Sequence, residues 1–253
     1  MATKATEIIQ GCEDLKRYAD ALGCDSETGA FGSLRIAIAS SPYEGSIISR
    51  ALLDKLARRY PGIKLELIYS SSGAGLSALY EDVVDVSIVL GRVKMEQFTC
   101  IKLFESELRI AVDKLHPLAK RCCVPLSDVV SYPIAKPHDL RCCYQAIVAQ
   151  FERINFSPCF VDLPPFIESC GRFLKEESGV VFVLHEPSQR ESSFSDLYAN
   201  VDLISLNQDE RITVPVCIAW RKGNKEKLIS LLQKSLIRSL KDERRMAHKN
   251  MMG

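Results

Sequence analysis

What most constrains the fold is a regular alternation of short apolar runs with amphipathic stretches. Residues 34–39 ("LRIAIA") read as a buried strand, and a helix is expected over 46–60 with Ile47, Ile48, Ala51, Leu52 and Leu56 on one face. Pro61 and Gly62 punctuate its end. A strand over 63–69, a helix near 75–82 and the strand "DVSIVL" over 85–90 follow. Strands alternating with helices imply right-handed crossovers and a mostly parallel sheet.

Two segments depart from this rhythm. "IKLFESELRIAV" (101–112) and "RITVPVCIAWRKG" (211–223) are longer than ordinary strands. Two such segments can bridge two lobes, one half of each pairing in each lobe. Between them lies a second strand–helix set: 133–136 into a helix at 140–153, 157–163 into a helix at 166–176, then "GVVFVL". The last helix, 225–241, aligns Leu228, Ile229, Leu232, Leu236 and Leu240 and is expected to return to the first lobe. The expected class is α/β, with two Rossmann-like lobes joined by two crossover strands. Lobe I takes 33–104 with 212–245, lobe II takes 105–211, and 246–253 is a tail.

Ahead of the lobes, a helix over 6–22 carries Ile8, Cys12, Leu15, Ala19 and Leu22, a narrow heptad seam suited to pairing with a second copy. A polar connector completes residues 1–32, and a homodimer or tetramer is expected.

Composition excludes several classes. The net charge of +1 creates no basic field to recruit nucleic acid. No apolar stretch reaches membrane-helix length, and "MATKATEIIQGCEDLKRY" has no signal-peptide core, so no membrane partner and a cytoplasmic location are expected. The ten cysteines contain no C-x2-C spacing; their only clusters are Cys122–Cys123 and Cys142–Cys143. They read as reduced thiols, with no metal and no cofactor expected.

Residues 68–79 read "IYSSSGAGLSAL", placing serines and glycines where a strand hands over to a helix. Hydroxyls and open amides there can hold a carboxylate or phosphate, or simply cap the helix. The first strand likewise runs into "SSPYEGS", the strand "YPIAK" into "PHDLRCC", and the next strand into "LPPFIES". In parallel sheets these turns share one edge, where ligands bind. Capping explains any one junction; their convergence points to a cleft for a small anionic ligand.

At these residues the sequence resembles the effector-binding domain of LysR-type transcriptional regulators. "GSLRIAIASS" resembles the family's first strand, and "YPG" its turn. "DVSIV" is similar to the third strand, "LRIAVDKLHPLA" to the hinge-proximal strand and turn, and "CIAWRKG" to the last strand. "ESGVVFVLHEP" matches the Gly-Leu-Gly-Ile-x-x-Leu-Pro stretch without proline directly after the leucine. The match spans about residues 33–241. It implies a periplasmic-binding-protein type 2-like fold that senses a small effector, here expected to be a carboxylate. DNA would be reached only through a winged helix-turn-helix, which this sequence does not contain ahead of residue 6; the resemblance implies a truncated form or a member lacking that module. The family's pocket maps onto Ser40, Ser41, Ser71 and Ser72 in lobe I, and onto Lys136, His138, Arg141 and Phe166 in lobe II. Arg92 is a further partner for an anion, or else a solvated surface arginine.

Two alternatives share the fold. An exported solute-binding protein conflicts with ten cysteines and no signal segment. A dehydratase- or deaminase-like enzyme would need an acid/base pair or nucleophile in the cleft; His138, near Cys142–Cys143, is the one candidate acid or base, and no triad can be assembled around it. No catalytic role is expected.

Overall fold

The structure, a computed structural model, describes residues 32–41, 45–59, 63–137, 141–185, 200–223 and 225–251. The expected helix over 6–22, the Pro61–Gly62 punctuation and His138 lie outside these residues.

The chain builds β1 (Ser33–Ser41), β2 (Gly45–Ser46), α1 (Arg50–Arg59), β3 (Lys64–Ser70), α2 (Ser72–Tyr80), β4 (Val86–Leu90) and the long β5 (Phe98–Asp113). Then come β6 (Cys123–Val124), α3 (Leu126–Val129), β7 (Ile134–Ala135), α4 (Arg141–Arg153), β8 (Phe160–Val161), α5 (Ile167–Glu176) and β9 (Val181–His185). β10 (Val201–Leu206), β11 (Ile212–Arg221) and α6 (Glu226–Met251) complete it. Lobe I is the half around β1, β3 and β4; lobe II is the half around β7, β8 and β9.

β1 lies parallel between β3 and β4, with Ile36 opposite both Leu67 and Val86. Its alternating side chains serve two covers. Ile36 and Ile38 are fully buried in the main core with Leu52 and Leu56 of α1 and Leu232 and Leu236 of α6. On the other face Ala37 packs under α2 with Leu79, Val84, Phe98 and Ala219. Ala37 is small for a reason: a Cβ at Gly75 of α2 would stand 3.2 Å from its methyl and 2.7 Å from Ser87 Oγ. That close approach seats the N-terminus of α2 at the sheet edge.

The two long strands are the crossovers. β5 spans 16 residues. It pairs with β11 from Phe98 to Leu108, then with β9 over Glu107–Ala111 and β10 over Ile110–Asp113. β11 also pairs with β4, from Val216 opposite Leu90 to Trp220 opposite Val86. The nine-stranded sheet is therefore mixed, not mostly parallel: β5 leaves lobe I and β11 returns to it, so both pair antiparallel.

The strand expected over 157–163 is only Phe160–Val161, and three helix boundaries differ from the sequence expectation by several residues. α1 begins at Arg50 and not at 46, because Ser46 and Gly45 fold back on Ser40 and Ser41, and Ile47 N–H donates to Ala39 O at 3.1 Å. Its cap is Ser49, whose Oγ accepts from Leu52 N–H at 3.3 Å. α2 starts earlier than expected, at Ser72, and α6 runs longer, to Met251. The strand β10, "VDLISL", is not among the expected elements.

Among the described buried polar side chains, Asp85 in lobe I and His116 in lobe II act as anchors. In lobe I, Asp85 is 1% exposed and accepts from Arg35 N–H at 2.9 Å, from the Arg35 guanidinium at 3.2 Å and from Lys225 Nζ at 3.1 Å. Burial pushes its pKa up, but the hydrogen bonds from Arg35 and Lys225 prevail and hold it below the usual carboxylate value. In lobe II, His116 accepts from Leu118 N–H at Nδ1 (3.0 Å), so Nε2 carries the proton it donates to Ser178 O at 3.1 Å. Burial lowers its pKa, keeping it neutral.

Candidate functional site

Because β1, β3 and β4 are mutually parallel or aligned, their carboxyl ends open on one edge. Ser40 and Ser41 end β1, with Ser41 buried, and both pair with β2 rather than opening a helix. The expectation that "SSPYEGS" leads its two serines straight into a helix is corrected by that pairing, which consumes the backbone groups of residues 40 and 41 locally.

The serine-glycine junction is organised more tightly. Ser70 Oγ donates to Ser71 O at 3.2 Å. Ser71 is the N-cap of α2, in extended conformation, and its Oγ accepts from Ala74 N–H at 3.1 Å. Ser72 does something the sequence did not suggest: its Oγ accepts from Leu90 N–H at 3.2 Å, tying the start of α2 to the end of β4. Both hydroxyl oxygens have thus taken a backbone amide, which leaves their protons to be donated. No acidic side chain occupies the first turn of α2 or of α4, so both helix ends keep their positive pole.

Gly91 follows β4 with φ at 88°, and its N–H donates to Pro215 O of β11 at 2.8 Å. A Cβ there would stand 3.1 Å from the Cβ of Cys142, in the first turn of α4. This contact brings the amino end of the lobe II helix, with exposed Arg141 beside it, against the end of the lobe I strand. Gly91 and Cys142 were not among the sequence candidates; the glycine after a strand end was the one signal that could have marked the place.

The remaining candidates separate. Lys136, just past β7, pairs with Asp162 at 3.1 Å, its charge already answered. Phe166 is 62% exposed at the N-cap position of α5, and Glu168 neutralises that helix end from its first turn. Arg92 is exposed beside Gly91, and its charge also reaches Cys100 and Cys217. The structure therefore joins Ser71, Ser72, Gly91 and Cys142 around one edge, with Arg141 next to Cys142 in the chain, while Lys136 and Phe166 belong to the β7–β8 end of lobe II. Among the described residues, no three His, Cys, Asp or Glu side chains gather as metal ligands, and no helix is long and apolar enough to cross a membrane.

Comparison with known proteins places this geometry. No curated protein matches the sequence. Among solved structures, OxyR from Corynebacterium glutamicum, in a cysteine-to-serine form with hydrogen peroxide bound, is similar at 15% identity over 98% of this chain and 76% of that one, with a TM-score of 0.72. The BenM effector-binding domain with its effector benzoate is similar at 18% identity over 85% of this chain and 94% of that one, TM-score 0.67. HinK, a LysR-family transcriptional regulator from Pseudomonas aeruginosa, is similar at 15% identity over 94% and 80%, TM-score 0.66. At these identities the likeness speaks for the fold, a periplasmic-binding-protein type 2-like one. The LysR substrate-binding domain model matches residues 28–242, and the chain belongs to that family, the effector-sensing part of transcriptional regulators.

Proposed function

We propose that this domain senses a small carboxylate held at the edge where α2, β4 and α4 meet. One observation carries the reading: the Ser71 and Ser72 oxygens each accept a backbone N–H, so what they offer a ligand is a proton. Hydroxyl donors at a helix end without acidic residues favour an anion. Arg141 and the amino end of α4 face the same edge through the Gly91–Cys142 contact and supply the opposite wall. Ser40, Ser41 and Arg92 are proposed as further ligand contacts in lobe I, whereas Lys136 and Phe166 stand apart at the β7–β8 end of lobe II and His138 lies outside the described residues. The role is ligand binding and not catalysis, as in the regulators to which the family belongs.

The lobes divide between 104 and 105 and between 211 and 212, and ligand binding closes one on the other. The working form is a homodimer or tetramer in the cytoplasm, whose reducing conditions fit the eight free cysteines among the described residues. DNA is contacted through a winged helix-turn-helix, the module that accompanies this domain in the family.

The test is a thermal-shift screen over small aliphatic, amino-acid and aromatic carboxylates, on the wild type and on Ser71→Asp. A ligand present at about a hundred times its Kd stabilises by about 2.7 kcal/mol, a readily measured shift. Aspartate keeps the N-cap but replaces the proton donor with a negative charge. The reading requires that a carboxylate raise the wild-type melting temperature and leave that of Ser71→Asp unmoved. Equal shifts in both proteins put the ligand elsewhere.

A further inference from the structure

Cys100 on β5 and Cys217 on β11 lie far apart in the chain but side by side in the sheet. Ala219 is opposite Cys100 and Cys217 is opposite Lys102, so the two thiols are diagonal neighbours on one face of adjacent antiparallel strands. A register shift between Val216 and Cys217 gives β11 local slack at this point. Cys217 is fully buried, whereas Cys100 is partly exposed. Cys100 Sγ accepts from Val93 N–H at 3.4 Å, and the Arg92 guanidinium lies close enough to act on both sulfurs.

We infer that Cys100 is a peroxide-reactive thiolate and that Cys217 is its resolving thiol, a dithiol oxidation site built into the two crossover strands. The arrangement has a donor for each need of a thiolate. The Cys217 thiol stands beside it on the same face, the Val93 amide donates to it, and Arg92 supplies positive charge. The neighbouring donors outweigh the burial that opposes ionisation and draw Cys100 down to about 6, while its neighbour Cys100 and burial push Cys217 up. Cys100, the partly exposed sulfur that holds the amide donor, is thus placed to attack, and the buried Cys217 sulfur to resolve.

In the first step the Cys100 thiolate attacks one oxygen of a hydroperoxide. The O–O bond breaks, the attacked oxygen stays on sulfur as a sulfenic acid, and the other leaves as an alkoxide or hydroxide that takes a proton from water. In the second, Cys217 sulfur attacks the sulfenic sulfur. The S–S bond forms, the S–O bond breaks, and the departing hydroxide combines with the thiol proton as water. The two thiols are oxidised by two electrons overall, and the peroxide is reduced to an alcohol, or water, plus water. The site needs no ligand in the cleft, so it stands or falls apart from the carboxylate reading.

The experiment treats the full chain with hydrogen peroxide at neutral pH, without added ligand, and maps the cysteines by mass spectrometry after alkylation. The expected result is a Cys100–Cys217 cross-linked peptide, reversed by dithiothreitol. Iodoacetamide labelling of Cys100 should titrate well below the pH of about 8.5 that governs an ordinary cysteine. In Cys217→Ser the cross-link should vanish and a Cys100 sulfenic acid should be trapped by dimedone, while Cys100→Ser should leave Cys217 unoxidised. A Cys100 sulfenic acid that persists in the wild type overturns the resolving role of Cys217. Labelling of Cys100 like free cysteine, with no peroxide product there, overturns the site altogether.

Discussion

The amino ends of α2 and α5 occupy equivalent places in the two lobes, each following a strand of a parallel pair, yet they are finished in opposite ways. At α2 a serine caps the helix, a second serine braces the neighbouring strand, and no acid enters the first turn. At α5 the N-cap position is an exposed phenylalanine with no side-chain cap, and Glu168 supplies the negative charge internally. One helix end is left electrostatically open and the other closes itself. The buried anchors differ in the same sense: lobe I keeps a charged, paired Asp85, and lobe II a neutral His116. The buried polar anchor of lobe I is thus a charged carboxylate, whereas that of lobe II is a neutral imidazole.

The largest effect expected from testing this contrast is at Asp85. Asp85→Ala strips the partners from Arg35 and Lys225 and should cost about 3 kcal/mol of stability, read by urea denaturation. A loss well under about 1 kcal/mol would mean that lobe I does not depend on its charged anchor.

Ser71→Asp against Phe166→Ala comes next. Loss of a hydrogen bond to a charged ligand, about 1.5–3 kcal/mol, should weaken carboxylate binding at least about tenfold in the first, while the second leaves an aliphatic carboxylate's affinity nearly unchanged. Isothermal titration of both variants decides it; the reverse order would move the anion pole to lobe II. Ser72→Ala is less clean, because it also orphans Leu90 N–H and should lower stability by about 1–3 kcal/mol.

Acid should separate the lobes. His116 and His185 have folded pKa values below the unfolded value of about 6.5, so the unfolded chain takes up their protons first. Burial, and for His185 the nearby Arg109 charge, draws His185 down to about 4. Lobe II stability is therefore full above pH about 6.5 and falls as the pH drops below it. The Asp85 contribution survives until the pH falls below the unfolded carboxylate value of about 3.9. The sole tryptophan, Trp220, pairs with Val86 in lobe I, whereas the Tyr132 ring packs at a tilt against His116 in lobe II. Tyrosine near-ultraviolet dichroism should fade at higher pH than tryptophan fluorescence shifts; coincident curves would erase the distinction.

Glu168→Gln is the mildest probe. Removing the acid from the first turn of α5 should cost about 0.3–1 kcal/mol, visible as a small melting-temperature drop that vanishes at high salt.

Local signals carried much of this molecule. The apolar runs of β1 and β4, the amphipathic faces of α1 and α6 and the double length of β5 and β11 are legible because periodicity and chain length are properties of neighbouring residues. The serine-glycine run likewise announced a helix start, which Ser71 fulfils as a cap. The register with which strands meet was not legible. Gly45–Ser46 could not be seen to fold back on Ser40–Ser41, nor Ser72 to brace Leu90, because each depends on which distant backbone the sheet brings alongside.

The sequence by itself determined the α/β class, the crossover segments and the serine-rich helix start at the sheet edge. Each follows from side-chain size, alternation and hydroxyl content over a few residues. Tertiary structure alone decided that Gly91 meets Cys142 and that Cys100 lies beside Cys217, whereas the cysteines adjacent in sequence had been the only visible clusters. Chain neighbours share an address in the sequence. Side chains on adjacent strands share a face only once pairing register and a bulge have set which residues stand together.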